Sequence, residues 1–139
     1  MPTEAIEFLE SKRICVLAIE MPDGAPHAAT VHYAAARDPL TLIFETDMRY
    51  RKTEALKARD KSRASLAVGF DEGKAATMQM DGEAMLIGRD NPLVETYLTK
   101  FPEKRAKAEG EHVIFFTFTP KWWKFTDWRS AEGKKIYQS

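Results

Sequence analysis

The stretch LTLIFETDMRYRKTEAL, residues 40–56, contains the change from strand to helix around which this chain is organised. Residues 40–44 are apolar, which predicts a buried β-strand, and the sequence becomes polar at Glu45. A helical pattern then begins at a group of three cations, Arg49, Arg51 and Lys52. Backbone N–H groups at the start of a helix favour an anion, and an arginine can grip two phosphate oxygens at once. These residues therefore predict a phosphate-binding site; the alternative is a solvated turn whose cations face only water.

The composition is that of an ordinary globular protein. At 139 residues the chain is expected to form one domain, residues 1–139, with its own hydrophobic core. Its 21 Lys and Arg residues are balanced by 21 Asp and Glu residues. A dedicated nucleic-acid-binding protein usually carries an excess of positive charge, so this balance argues against a nucleic-acid partner. It also leaves little self-repulsion to oppose formation of an oligomer.

The sequence also gives expectations about the compartment. The one cysteine, Cys15, lies in an apolar run and has no second cysteine to bridge, which fits a reducing cytoplasm. Its apolar neighbours predict a packed thiol rather than a nucleophile. Residues 1–13 carry no signal-peptide pattern, and no apolar run reaches the roughly 18 residues that a membrane-spanning helix needs. We therefore expect a soluble cytoplasmic protein without a membrane partner.

Alternation and apolar runs predict six or seven strands, over residues 14–19, 26–33, 40–46, 63–70, 75–87, 112–118 and 122–128. The first three strands are expected to be consecutive antiparallel neighbours, and residues 71–74 to form a hairpin loop. Short helices are expected over residues 3–12, 51–59 and 102–109, and after the Asn-Pro pair at 91–92. A glycine inside the long strand, Gly82, predicts a bend of the kind that lets a sheet curl. The simplest architecture is mainly β, an antiparallel barrel with short flanking helices.

No metal site or catalytic grouping is predicted. His27 and His32 are five residues apart on one predicted strand, so their side chains point to opposite faces. The sequence has no cluster of ligands at metal-binding spacing, no Ser-His-Asp or Cys-His grouping and no glycine-rich phosphate loop.

Tryptophans near the end of the chain allow two interpretations. Trp122, Trp123 and Trp128 lie among cations, a pattern that can stack on single-stranded bases. A strand with a core on one face and a partner subunit on the other gives the same pattern, and we favour this second interpretation.

Four stretches in order give the chain a resemblance to a known family. They are Leu17 with PDGAPHAATV at 22–31, FET at 44–46 with YRK at 50–52, SRASLAV at 62–68, and TMQMDGEA at 77–84. Together they resemble the pyridoxamine 5′-phosphate oxidase-like family of FMN-binding split β-barrels. The resemblance extends from Leu17 to Trp128.

This resemblance implies a homodimer with one FMN at each of two sites between the subunits. It places Arg51 and Lys52 on the phosphate and Thr46 beside the ribityl chain or the ring. The backbone of residues 27–30 would lie near the isoalloxazine ring: His27, Ala28, Ala29 and Thr30. The partner subunit would supply Gln79, or its neighbour Thr77, and one aromatic residue of the last strand, Trp123 or Trp122. A phosphate needs fixed cations and a flavin ring needs an apolar slot, so these roles fit the residue types.

Departures from the family pattern limit what it implies about substrate. The clamp's serine is Tyr50 here, and the oxidase's arginine and lysine on the second strand correspond to Ala29 and Ala34. No counterpart of its C-terminal Arg-x-His motif follows Trp128. We therefore expect an FMN-dependent oxidoreductase that exchanges hydride with another small molecule. The alternatives are a deazaflavin- or haem-binding protein, or a non-catalytic stress-related flavin-binding protein.

Overall fold

The computed structural model of the chain describes residues 1–70 and 75–139, so the hairpin loop predicted at 71–74 lies outside the described residues. Within them, eight strands make up most of the regular structure: β1 (Ile14–Glu20), β2 (Pro26–His32), β3 (Ala34–Ala36), β4 (Thr41–Asp47), β5 (Ser62–Val68), β6 (Ala76–Ile87), β7 (Val113–Asp127) and β8 (Lys135–Gln138). The helices are α1 (Thr3–Ser11), α2 (Lys52–Ala58), α3 (Leu93–Lys100) and α4 (Arg105–Ala108), with a 3₁₀ turn at Pro102–Lys104. No helix in the described ranges is long and apolar enough to cross a membrane.

The strands form one antiparallel sheet in the order β2-β1-β5-β6-β7-β4-β3, with β8 paired to β7. The sheet curls, so that Val31 from one edge and Phe44 from near the other pack into the same core. No ladder joins β2 to β3 or β4 in the part of the chain that the structure describes. This opening between the two edges is the split of the predicted split barrel, and the mainly β prediction is confirmed.

The predicted neighbours of the third strand are wrong. β1 and β2 pair as expected, but β4 pairs with β3 and β7, and the second neighbour of β1 is β5. β2 ends just before Tyr33. The Tyr33 side chain is fully buried, and its hydroxyl donates a hydrogen bond to the Leu9 carbonyl at 2.5 Å. This anchor separates β2 from the short β3, which forms its own hairpin with β4.

The bend predicted at Gly82 is present as a bulge between β6 and β7. Asp81 pairs with Trp122 whereas Gly82 pairs with Pro120, which leaves Lys121 as an extra residue on β7. A Cβ atom on Gly82 would approach a backbone oxygen of β7 to 2.1 Å, so the close pairing requires glycine. Because β7 continues through the bulge, the two strands predicted at 112–118 and 122–128 are a single strand.

The extra residue reverses which side chains of β7 face the core. Phe116 and Phe118 before the bulge and Phe125 after it are all buried in the same core, although their numbers have opposite parity. Successive strand residues alternate between faces, so Trp122 and Lys124 point to the outer face of the sheet.

The curled sheet and its helices enclose two hydrophobic clusters. The larger lies on the concave face and includes Phe8 of α1 and Leu56 of α2. Cys15 is fully buried there, and burial raises the pKa of its thiol to about 12, which confirms the predicted packed cysteine. The smaller cluster lies between the outer face of β3, β4 and β7 and the helix α3, with Tyr97 and Phe101 at its centre.

Helices cover only half of the outer face of the sheet. The other half presents two cross-strand rows of mostly small side chains. One row is Thr30, Val16, Ala67, Gln79 and Lys124; the other is Ala28, Ala18, Ser65, Asp81 and Trp122. Within the described residues this half-sheet, which we call the open face, has no helix packed on it.

Candidate functional site

A cavity of about 240 Å³ lies at the split, where the end of β4 faces β2. Its lining comes from six elements: Thr30, Val31 and His32 of β2; Glu45, Thr46 and Asp47 of β4; Tyr50 and Lys52 at the start of α2; Lys104 of the 3₁₀ turn; Lys107 of α4; and Val113 of β7. We call it the split cavity. Of the residues implied by the resemblance, it brings together Thr30, Thr46 and Lys52.

Lys52 is the buried cation of the split cavity. The residue is 7% exposed, and its ammonium group lies 4.8 Å from the centre of the Tyr50 ring. No carboxylate of the described residues forms an ion pair with it, so burial lowers the pKa of the ammonium, an effect that the charge of Asp47 opposes. A buried cation of this kind is costly to the folded protein unless an anion is supplied.

The loop before α2 is held by its own hydrogen bonds. The Arg49 guanidinium donates to both carboxylate oxygens of Asp47 at 2.9 and 2.6 Å, which lowers the pKa of that carboxyl. The Thr53 hydroxyl bonds the carbonyls of Met48 and Tyr50 at 2.7 and 2.6 Å. Arg49, the first of the three predicted cations, is therefore committed to Asp47, and the loop presents Lys52 instead.

Two polar groups in the cavity lack partners. The Thr46 hydroxyl oxygen and the Oε2 atom of Glu45 are buried and have no hydrogen bond to any described residue. Most buried polar atoms in proteins are hydrogen-bonded, so each unpaired oxygen could accept or donate a hydrogen bond from or to another molecule. Because side chains alternate along a strand, the two oxygens point to opposite faces of β4.

Two lysines from beyond the recognised stretches complete the cavity. The ammonium of Lys104 donates to the Tyr97 hydroxyl at 3.0 Å, and burial lowers its pKa. Lys107 is more exposed, and its ammonium lies 3.8 Å from Oε1 of Glu45. The sequence of residues 102–109 predicts only a helix, because nothing in their spacing indicates that they fold against β4.

The remaining predicted residues are distributed around the split cavity. Arg51 precedes Lys52, is exposed and does not line the cavity. On β2, Ala28 belongs to the open face, whereas His27 and Ala29 alternate to the opposite face, where Ala29 packs against the larger core. His32, which sequence analysis considered only as a metal ligand, lines the cavity together with Thr30.

Gln79 and the tryptophans lie elsewhere. Gln79 and Trp122 line a shallow apolar recess on the open face with Val16, Ala18 and Leu66 among others. Thr30 and Gln79 share a row but are three strand spacings apart, roughly 14 Å. Trp123 points to the other side of β7, where it lines a separate recess near the chain's ends. Within one chain, the structure therefore brings Gln79 together with Trp122 rather than with Trp123. Gln79 and both tryptophans lie outside the lining of the split cavity.

The chemistry of the split cavity is that of an anion site. It combines three lysines with the carboxylates of Glu45 and Asp47, and the latter is already paired with Arg49. The described residues include no group of three or more His, Cys, Asp or Glu side chains that could hold a metal ion.

Solved structures with this fold have varied descriptions. A protein from Clostridium acetobutylicum, related to general stress protein 26 of B. subtilis and placed in the pyridoxinephosphate oxidase family, is 15% identical with a TM-score of 0.70, covering 97% of this chain and 92% of that one. A haem-binding protein from Mycobacterium smegmatis is 14% identical with a TM-score of 0.73, covering 99% of this chain and 58% of that one. A haem-storage protein from Vibrio cholerae is 16% identical with a TM-score of 0.68, covering 85% and 88%. Identities this low show a common fold and nothing finer.

The sequence comparison is more specific. No curated protein sequence matches the chain significantly. The sequence profile described as pyridoxamine 5′-phosphate oxidase, however, matches residues 1–127 of the 139. The chain therefore belongs to the pyridoxamine 5′-phosphate oxidase family.

Proposed function

We propose that this protein binds FMN in the split cavity and acts, as a homodimer, as a flavin-dependent oxidoreductase. One observation carries the proposal: Lys52, a buried cation without a carboxylate partner among the described residues, shares the cavity with Thr46, whose buried hydroxyl has no hydrogen bond to any of them. Both groups cost the folded protein free energy when left alone. A phosphate ester followed by a polyol chain would satisfy both.

The roles of the residues follow from their positions. Lys52 would neutralise the phosphate inside the cavity, and the exposed Arg51, the preceding residue, would add its guanidinium from outside. Thr46 would hydrogen-bond a hydroxyl of the ribityl chain. Thr30 stands at the boundary between the cavity and the open face, where the ring would continue. Bound FMN would supply hydride exchange at its N5 with a small-molecule substrate, while the chain's residues bind and orient it.

A second copy of the chain would complete the site. The open face offers small side chains, among them Ala18, Ala28 and Ala67, which permit close approach of another sheet. Gln79 lies roughly 14 Å from Thr30 within one chain, so a copy packed face to face would bring its own Gln79 and Trp122 towards the ring.

The dimer is tested by sedimentation velocity. Ala18→Arg places a charged side chain in the middle of the open face and should give monomers, whereas Ala131→Arg, at an exposed position near the C-terminus, should leave a dimer. A wild-type protein that sediments as a monomer would remove the proposed interface.

The flavin is tested by titration. FMN should bind at about one per chain with a change in ring fluorescence. Riboflavin lacks the phosphate and should bind roughly ten- to 150-fold more weakly, the effect of one charge-assisted hydrogen bond of about 1.5–3 kcal/mol. Equal affinities would contradict the phosphate role of the cavity, and the absence of FMN binding would remove the flavin. Anaerobic bleaching of the bound flavin by NADH or NADPH then tests for turnover.

Haem is the second candidate ligand. Two of the structural neighbours are described as haem-binding and haem-storage proteins, and His32 lines the split cavity beside three lysines that could pair with haem propionates. Titration with haemin should then give a Soret shift that is lost in His32→Ala. A Soret band that is the same in both proteins would argue against this ligation.

A further inference from the structure

Glu45 is the feature of the split cavity that phosphate binding alone does not explain. Its side chain is only 4% exposed, and its Oε1 atom lies 3.8 Å from the Lys107 ammonium, beyond hydrogen-bond distance. Its Oε2 atom is buried without a partner among the described residues. A negative charge is thus held, weakly partnered, in the cavity where we place an anion.

Polar side chains from the 3₁₀ turn, α3 and α4 surround Glu45. The 3₁₀ turn contributes Lys104, α4 contributes Lys107 and α3 contributes the hydroxyl of Tyr97, which holds Lys104 at 3.0 Å. The remaining titratable lining residues of the cavity are His32, Asp47, Tyr50 and Lys52. Burial raises the pKa of the Glu45 carboxyl, and the charges of Lys104 and Lys107 counteract this effect.

A phosphate in the cavity would raise the pKa of the Glu45 carboxyl further. The phosphate would pair with the same lysines and would place a second negative charge close to the carboxylate. Both effects disfavour the ionised form of a carboxyl group. A protonated Glu45 would instead gain a hydrogen to donate, so that the unpaired oxygen could bond the ligand.

We propose that Glu45 takes up a proton from the solvent when a phosphate-bearing ligand enters the split cavity, so that anion binding and proton binding are coupled. This coupling extends the proposed function, and it rests on that function only because phosphate is taken as the group that anchors the ligand. The affinity for the ligand should then fall as pH rises, by up to about tenfold per pH unit in the window where one proton is linked.

The decisive experiment is a ¹³C NMR titration of the side-chain carboxyls of the wild-type protein, with and without inorganic phosphate as the probe. Glu45 is assigned through its backbone, so the measurement depends on no variant. Phosphate should move the titration midpoint of Glu45 to higher pH. The carboxyl of Glu95, which is paired with Arg105 outside the cavity, should keep its midpoint. A Glu45 midpoint that phosphate leaves unchanged overturns the proposal.

FMN affinity measured against pH separates this proposal from the flavin assignment. Glu45→Gln should bind FMN with a shallower pH dependence than the wild type, because the second ionisation of the phosphate itself is common to both proteins. Identical slopes overturn the coupling while leaving FMN in the cavity. If phosphate moves the Glu45 midpoint but FMN does not bind, the coupling stands and the flavin assignment fails.

Discussion

The split cavity differs sharply from a second group of charges at the opposite end of the sheet. There, Glu20 bonds Arg63 and pairs with Arg59, and Glu83 pairs with Lys61 and Lys121. We call this group the paired network. In the split cavity, by contrast, Lys52 has no carboxylate partner among the described residues, and Thr46 and Glu45 keep unbonded buried oxygens.

The difference shows what each group of charges can do. Exposed cations and carboxylates that neutralise one another make small contributions to stability and leave little charge for a ligand. Buried groups without partners destabilise the folded protein. Proteins retain such groups at functional sites. Three matched pairs of substitutions would test this contrast, from the largest expected effect to the smallest.

The largest effect is expected from Lys52→Met compared with Lys61→Met. Both remove one lysine charge, but only the first removes a cation from the split cavity. FMN affinity should fall by roughly ten- to 150-fold in Lys52→Met, the loss of about 1.5–3 kcal/mol, and should change by less than about twofold in Lys61→Met.

The same variant should melt at a higher temperature than the wild type when no ligand is present. Burial lowers the pKa of Lys52 in the folded state, so the wild-type protein should gain stability as pH rises towards the unfolded value of 10.5, and Lys52→Met should not. Fluorescence titration and thermal melts measure the two effects. Equal affinities in the two variants would contradict the assigned phosphate site.

An intermediate effect is expected from Thr46→Val compared with Thr53→Val. The two threonines are both buried, but the Thr53 hydroxyl has two carbonyl oxygens within hydrogen-bond distance as acceptors, and that of Thr46 has no partner within the described chain. Thr53→Val should destabilise the protein by about 1 kcal/mol, whereas Thr46→Val should leave it unchanged or up to about 1 kcal/mol more stable. Urea denaturation without FMN measures both. Similar losses in the two variants would mean that the Thr46 hydroxyl is bonded after all.

The smallest effect is expected from Glu20→Gln compared with Glu45→Gln. The Arg63 hydrogen bond lowers the pKa of Glu20, so its contribution to stability is present above pH 4.5 and is lost as pH falls through the lower folded value. Burial raises the pKa of Glu45, so its contribution is present below pH 4.5 and is lost as pH rises through the higher folded value.

As pH decreases, the melting temperature should therefore fall less steeply in Glu20→Gln than in the wild type. As pH increases, it should fall less steeply in Glu45→Gln than in the wild type. Melting temperatures recorded from about pH 3 to neutral pH would measure both slopes. The same slope change in the two variants would remove the contrast between the paired network and the split cavity.

Much of this arrangement is encoded locally. The apolar run before Glu45 forms β4, the cations after it open α2, and Gly82 forms the predicted bulge, because alternation, helix period and glycine geometry act over a few residues. The cations of this stretch predict a phosphate site at Lys52, the resemblance adds Thr46, and the structure places both residues in one cavity.

Other features depended on which elements meet. Nothing local indicates that β4 pairs with β7 rather than β2, or that Lys104 and Lys107, more than fifty residues later, fold against Glu45. The single extra residue at Lys121 places Trp122 rather than Trp123 on the open face, since a shift of one residue exchanges the two faces of a strand. The sequence by itself determined most of the elements and the group of cations before α2. Only the tertiary structure decided which charges neutralise each other and which remain buried without a partner, because pairing depends on distances between residues remote in the chain.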